Sequence, residues 1–264
     1  MTGPIGPALS TDLGPWLNDP QSAAVLLDFD GTLAPIVEEF DRAEPYPGTA
    51  ARLARLADRF ARVAVISGRP VAYLLARLPG AGATELIGLY GMERVGPDAG
   101  GVRLAPDALP WRAPLAAAAD EAEASAPAGV AVERKGLATT LHYRNAPEHA
   151  GWVERFAARQ ADERAVVAHP GKMSVELRPP VATDKGTVVA ELAAGLRAVC
   201  FIGDDVGDLP AFAALARLHV SDGISTLAVA VEADETPRQL LDRADLVVAG
   251  PAGVARLLED LSPG

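Results

Sequence analysis

The stretch Ala24-Val25-Leu26-Leu27-Asp28-Phe29-Asp30-Gly31-Thr32-Leu33 constrains this chain most. Its short apolar run reads as a strand buried in a sheet. Aspartate is a poor strand former, so the strand should end at or near Asp28. Asp-Gly alone would mark only a polar turn. The full order D-x-D-G-T after an apolar strand is far more specific. In a parallel α/β sheet, ligands bind at the carboxyl ends of the strands. Two carboxylates there can hold Mg²⁺, and one can attack phosphorus.

The rest of the chain repeats the theme. Ala50 to Phe60 show helical spacing, and Val63-Ala64-Val65-Ile66 reads as a second buried strand ending in Ser67-Gly68-Arg69-Pro70. A helix to about Leu78 follows, then an apolar strand within Glu85 to Met92, and Gly100-Gly101 as a hairpin turn. Lys185-Gly186 opens a further helix. Ala198-Val199-Cys200-Phe201-Ile202 is a strand running into Gly203-Asp204-Asp205-Val206-Gly207-Asp208. A helix, strands near Leu218–Val220, Leu227–Val231 and Leu246–Val248, and a last helix complete the chain. Alternating strands and helices predict an α/β fold with a parallel sheet covered on both faces. The Pro- and Gly-rich residues 1–20 are expected to form a loose arm with one short helix.

Between about 110 and 179 the pattern changes to an α+β one. A helix covers Trp111 to Ala124, two strands follow, then a helix at about 148–161 and two more strands. Leu137, Thr139, Leu141 and Tyr143 alternate with Thr140, His142 and Arg144. Lys172, Ser174, Glu176 and Arg178 oppose Met173, Val175 and Leu177, and Glu133 and Lys135 oppose Val130 and Val132. This describes a sheet with one face covered by helices and one polar. A polar face of this kind is either solvated or a binding surface. The predicted organisation is a core of 1–109 and 180–264 with 110–179 inserted.

Bulk properties exclude some classes of function. The formal net charge of −11 argues against nucleic acid, whose binding needs a basic footprint. No apolar run is long enough to span a membrane, and no secretory signal is visible. Cys200, the lone cysteine, reads as core, which fits a cytoplasmic protein. The expected partner is a small molecule, acted on by a monomer.

Four elements then bring chemistry to one sheet edge: Asp28 and Asp30, Ser67, Lys185, and the cluster Asp204, Asp205 and Asp208. Asp28 suits a nucleophile that forms an aspartyl-phosphate. Asp30 suits a general acid for the leaving alkoxide, then a base for water. Asp28, the Asp30 carbonyl and Asp204 can supply hard oxygen ligands to Mg²⁺, with Asp208 or Asp205 behind them. Ser67, the Gly68 amide and Lys185 would neutralise phosphoryl oxygens.

D-x-D-G-T resembles the first signature of the haloacid dehalogenase superfamily of phosphatases. LDFDGTLAPI at 27–36, ISGR at 66–69, GLYGMER at 88–94, ERKGLATTLHYRNAP at 133–147, KMSVELRPP at 172–180, DKG at 184–186 and FIGDD at 201–205 narrow this. Together they are similar to its trehalose-6-phosphate phosphatase family. The resemblance implies a Rossmann-like parallel-sheet core with an inserted αββαββ cap. It also implies a Mg²⁺-dependent hydrolase that releases phosphate from trehalose 6-phosphate. Glu133, Lys135, Arg144 and Glu176 would grip the disaccharide hydroxyls. Further substrate contacts are expected at Thr32, Gly68, Arg69 and Asp205. Gly207-Asp208-Leu209-Pro210 stands where the family often has T-D-E, and Tyr90 where His is common.

Three other readings compete. One is a phosphatase for another sugar phosphate, such as sucrose phosphate or a pseudo-disaccharide phosphate. Another is a receiver-like phospho-acceptor domain, which the large insertion and the paired aspartates oppose. The third is a non-catalytic sugar-binding protein, which the set Asp28, Asp30, Lys185 and Asp204 opposes.

Overall fold

A computed structural model describes residues 13–37, 42–97 and 99–262. Its strands are β1 (Ala23–Leu27), β2 (Arg62–Ile66), β3 (Glu85–Gly88), β4 (Glu93–Val95), β5 (Arg103–Leu104), β6 (Ala131–Arg134), β7 (Thr139–His142), β8 (Val167–Gly171), β9 (Ser174–Arg178), β10 (Ala198–Gly203), β11 (Ser225–Glu232) and β12 (Leu246–Ala249). Its helices are α1 (Gly14–Asn18), α2 (Thr49–Arg59), α3 (Val71–Arg77), α4 (Arg112–Ser125), α5 (Ala150–Arg164), α6 (Lys185–Leu192), α7 (Leu209–Asp222), α8 (Arg238–Leu241) and α9 (Gly250–Leu261). The chain divides into two compact units. One holds the described residues of Met1–Val102 and Thr183–Gly264; the other is Arg103–Ala182.

In the first unit the sheet runs in the order β12-β11-β10-β1-β2-β3-β4, parallel except where β4 pairs β3. Period 2 explains why its strands are apolar throughout. Ala23, Val25 and Leu27 of β1 join Cys200 and Ile202 in one core cluster, with Leu53, Leu56, Leu74, Leu257 and Leu258 from helices. Ala24 and Leu26 join Val199 and Phe201 in the other, with Val188, Val189, Phe212 and Leu215. Both faces are therefore covered by helices, and no polar residue is tolerated within the strand. From β1 the chain winds outward to β2 and β3; from β10 it winds the other way to β11 and β12. Strand order thus reverses between β1 and β10, which is where an open α/β sheet forms its ligand crevice.

The expected strand near Leu218–Val220 is instead the end of α7. Ala211, Phe212, Ala214, Leu215 and Leu218 recur at helical spacing against the core, whereas Val220 is 83% exposed. The helix runs on until Gly223, whose left-handed φ of 66° ends it. The predicted N-terminal arm lies largely outside the described residues. Within it α1 places Trp16 in the core, its indole Nε1 donating to the Ala24 carbonyl at 3.2 Å.

The second unit has the element order α4-β6-β7-α5-β8-β9 and an antiparallel sheet ordered β6-β7-β9-β8. Leu115, Ala118 and Ala122 of α4 and Val153 and Phe156 of α5 pack on Leu141, Val175 and Leu177. The register sets Glu133 opposite Thr140, and Thr140 opposite Glu176, on the sheet's other face. No helix among the described residues is long and apolar enough to cross a membrane.

Candidate active site

The backbone carries Asp28 one residue past β1 without losing its partner: its N–H donates to the Ile202 carbonyl at 2.9 Å. Phe29 turns into the core, so Asp28 and Asp30 emerge on the opposite side. Leu33 and Ala34 then donate to the Phe29 carbonyl at 2.8 and 3.0 Å, closing a tight turn. Gly31 sits in that turn at φ 74°, and a Cβ there would lie 1.9 Å from Asp204 Oδ2. Only glycine meets both demands.

Asp204 follows β10, the neighbour of β1. Asp208 organises the loop behind it. Its Oδ2 accepts from the Asp204 and Asp205 amides at 2.8 and 3.1 Å, and its Oδ1 accepts from Lys185 Nζ at 2.6 Å. Lys185 is the first residue of α6, whose start is set by a reciprocal cap between Asp184 and Thr187. Its ammonium also lies 2.8 Å from Asp28 Oδ1. Asp28, Lys185, Asp204 and Asp208 are all buried.

Burial of three carboxylates with one ammonium leaves the cluster short of positive charge. Desolvation, reinforced by the neighbouring aspartates, pushes Asp204 up to about 8. Burial also raises Asp28 and Asp208, with Lys185 opposing in each case. Burial alone would lower Lys185, but Asp208 and Asp28 hold its ammonium well above the usual lysine range. Asp28, Asp204 and Asp208 bring carboxylate oxygens within 4.8 Å of one another. Hard oxygen donors with unbalanced negative charge fit a divalent cation.

Ser67 follows β2, its amide donating to the Ile87 carbonyl at 2.9 Å and its Oγ accepting from the Arg69 amide at 3.1 Å. Gly68 allows the phenol of Tyr90 to approach; a Cβ on Gly68 would lie 2.5 Å from its oxygen. Arg69 forks onto Asp30, Nε to Oδ2 at 2.7 Å and Nη2 to Oδ1 at 2.8 Å. The guanidinium also lies 4.7 Å from the Tyr73 ring centroid.

On the polar face of the second unit, Lys135 Nζ donates to Glu176 Oε1 at 2.8 Å and lies 3.4 Å from Glu133 Oε2. Thr140 Oγ1 donates to Glu176 Oε1 at 3.1 Å, and Arg178 pairs with Glu176 Oε2.

Comparison with known proteins decides the family. The profile described as trehalose-phosphatase matches residues 26–242. The chain belongs to the trehalose-phosphatase family. A "Trehalose-phosphate phosphatase" of Mycolicibacterium paratuberculosis is 37% identical over 202 residues, covering 73% of this chain and 51% of that protein. One from Mycobacterium leprae is 34% identical over 213 residues, covering 75% of this chain and 48% of its own. The chain thus spans about half the length of these curated relatives. Among solved structures, a "trehalose-6-phosphate phosphatase related protein" superposes with a TM-score of 0.75 at 22% identity, covering 90% of this chain and 96% of that one. This likeness and that to a haloacid dehalogenase-like hydrolase of Bacteroides thetaiotaomicron, at TM-score 0.61, concern the fold: a haloacid dehalogenase core with an α+β cap.

Within this family member, the structure gathers Asp28, Lys185, Asp204 and Asp208 at the β1–β10 edge. Thr32 borders them, its hydroxyl 3.5 Å from Asp204 Oδ1. The Asp30 carboxylate points to Arg69 and is not one of the three clustered oxygens. Asp205 is exposed and caps its own turn, accepting from the Gly207 amide at 2.7 Å. Glu133, Lys135 and Glu176 meet on the cap face. Arg144 does not share their strand face, because β7 ends at His142 and the chain turns. Strict alternation shows a face but not where pairing stops. Two further residues join the face: Arg178, two along from Glu176, and His142, two along from Thr140. Both lay in the same period-2 pattern.

Proposed function

We propose that this chain is a Mg²⁺-dependent phosphatase of the cytoplasm that converts trehalose 6-phosphate to trehalose and inorganic phosphate. The buried group of Asp28, Lys185, Asp204 and Asp208 at the strand-order reversal carries the reading, supported by the relatives named for this activity. Phosphate monoesters hydrolyse very slowly, so catalysis must come from positioning and charge neutralisation.

Asp28 acts as the nucleophile: one carboxylate oxygen forms a bond to phosphorus as the bond to the sugar oxygen breaks. Lys185, held protonated by its two carboxylates, neutralises phosphoryl charge beside Asp28. Ser67 and the Gly68 amide donate to the remaining oxygens, with Thr32 beside them. Asp30, oriented by the Arg69 fork, gives a proton to the leaving alkoxide and then takes one from the water that hydrolyses the aspartyl-phosphate. Asp28, the Asp30 carbonyl and Asp204 would hold Mg²⁺, with Asp208 and Asp205 shaping the loop behind them. When bound, the ion supplies charge neutralisation at the phosphoryl oxygens. On the cap, Glu133 and Glu176 accept from sugar hydroxyls and Lys135 donates to them, which suits a neutral polyol. Arg144 is a further candidate for this role from its exposed turn.

The test is a rapid quench with trehalose 6-phosphate labelled in its phosphate. The wild type should carry label on Asp28, and Asp28→Asn should carry none and release no phosphate. Full turnover by Asp28→Asn would overturn the nucleophile.

A further inference from the structure

The cap's two sugar-facing carboxylates are each fastened by a residue that the sugar-binding role does not require. Glu176 is 7% exposed. Oε1 takes Lys135 and Thr140, while Oε2 takes Arg178, which sits two residues along the same strand and pairs through both Nε and Nη2. Burial alone would raise the Glu176 carboxyl, but Lys135 and Arg178 hold it below its usual range, so it is a charged acceptor. On the neighbouring strand pair, Glu133 Oε2 lies 2.9 Å from His142 Nε2. A carboxylate only accepts, so that nitrogen carries the ring proton. His142 and Thr140 are two apart on β7 and share its polar face, with Glu133 directly opposite Thr140. The two pairings serve one end, within β9 for Glu176 and across β6 and β7 for Glu133: each adds a donor that restricts the carboxylate's rotamers.

We propose that Arg178 and His142 are positioning residues for substrate selection, Arg178 fixing Glu176 and His142 fixing Glu133, so that both acceptors are preset for a neutral polyol. The inference rests on the reading of this face as the sugar-binding surface. The two carboxylates of Glu133 and Glu176 are matched by the two cations Lys135 and Arg178, which suits hydroxyl groups rather than a second anion. Preset acceptors avoid an ordering cost on binding, so their loss should appear in the affinity for the sugar and not in the chemistry at Asp28.

The experiment compares trehalose 6-phosphate with p-nitrophenyl phosphate for the wild type and for Arg178→Met, Arg178→Lys, His142→Leu and His142→Gln, all with Mg²⁺. Arg178→Met and His142→Leu should raise KM for the disaccharide phosphate about tenfold or more, with kcat little changed, as expected for loss of a charge-assisted hydrogen bond. Turnover of p-nitrophenyl phosphate should stay within about twofold, which also reports that the chain is folded. His142→Gln, whose amide nitrogen still donates, should recover most of the loss. Arg178→Lys should recover less, because an ammonium cannot reproduce the fork. Parallel losses on both substrates, or no recovery in His142→Gln, would overturn the inference. A wild type that shows no preference for the disaccharide phosphate would instead overturn the underlying reading, before any variant is compared.

Discussion

Lys185 is the residue on which the core site turns. Its ammonium serves both Asp28 and Asp208 from a buried position, so Lys185→Met should abolish phosphate release and cost about 3–5 kcal/mol in a denaturant melt, the scale for breaking a buried ion pair. An unchanged melt would mean that the aspartates are not held in charge balance by this lysine. Arg69 makes a different claim. It takes both oxygens of Asp30, so its loss should disturb proton transfer and spare steps that need none. Arg69→Met should therefore slow hydrolysis of trehalose 6-phosphate by about 10²-fold, while p-nitrophenyl phosphate, whose leaving group needs no proton, loses much less. Equal losses would place Arg69 on the phosphate itself. The sequence motif alone located Arg69 but not its partner: two residues 39 apart meet only because β1 and β2 are adjacent.

Elements were legible where both faces of a strand are buried or where one face is. β1, β2 and β10 stand out as unbroken apolar runs, and the cap strands as alternations. The end of α7 was not legible, because Leu-His-Val-Ser reads equally well as a short strand, and only packing separates the two. Since Val220 is 83% exposed, Val220→Lys should leave stability within about 0.5 kcal/mol, and a loss of several times that would show the segment to be buried. The turn after β1 is the opposite case. Gly31→Ala forces a Cβ against Asp204 at a positive φ, so it should abolish activity while the melting curve stays cooperative. Activity near that of the wild type would mean that the turn relaxes freely and that Asp204 is not fixed by it.

For the whole molecule, the acidic cluster ties stability to pH and metal. Asp204 titrates at about 8 in the folded chain against an ordinary 3.8, and Asp28 and Asp208 shift the same way. Between those values the folded chain holds protons that the unfolded chain has lost. Metal-free stability should therefore be full below about pH 4 and fall as the pH rises towards about 8. Mg²⁺ should restore it on the alkaline side, where the carboxylates are free to bind, and melts with and without EDTA across this range would show it. Metal-free stability that rises over the same window would contradict the charge imbalance. The fold class and family were legible from strand-end motifs, since these collect at one edge in any parallel sheet of this winding. The cross-strand pairing of His142 with Glu133 was not, since pairing register is a property of the folded sheet, and the period-2 pattern put Arg178 beside Glu176 without showing that the two join. The proposed activity, hydrolysis of trehalose 6-phosphate at a divalent metal site, can be read from its product. The most direct measurement is phosphate release from trehalose 6-phosphate with Mg²⁺, beside sucrose 6-phosphate, glucose 6-phosphate and an EDTA control. Strong preference for trehalose 6-phosphate, lost with EDTA, is the predicted result; equal rates on all three, or release that survives EDTA, would contradict it.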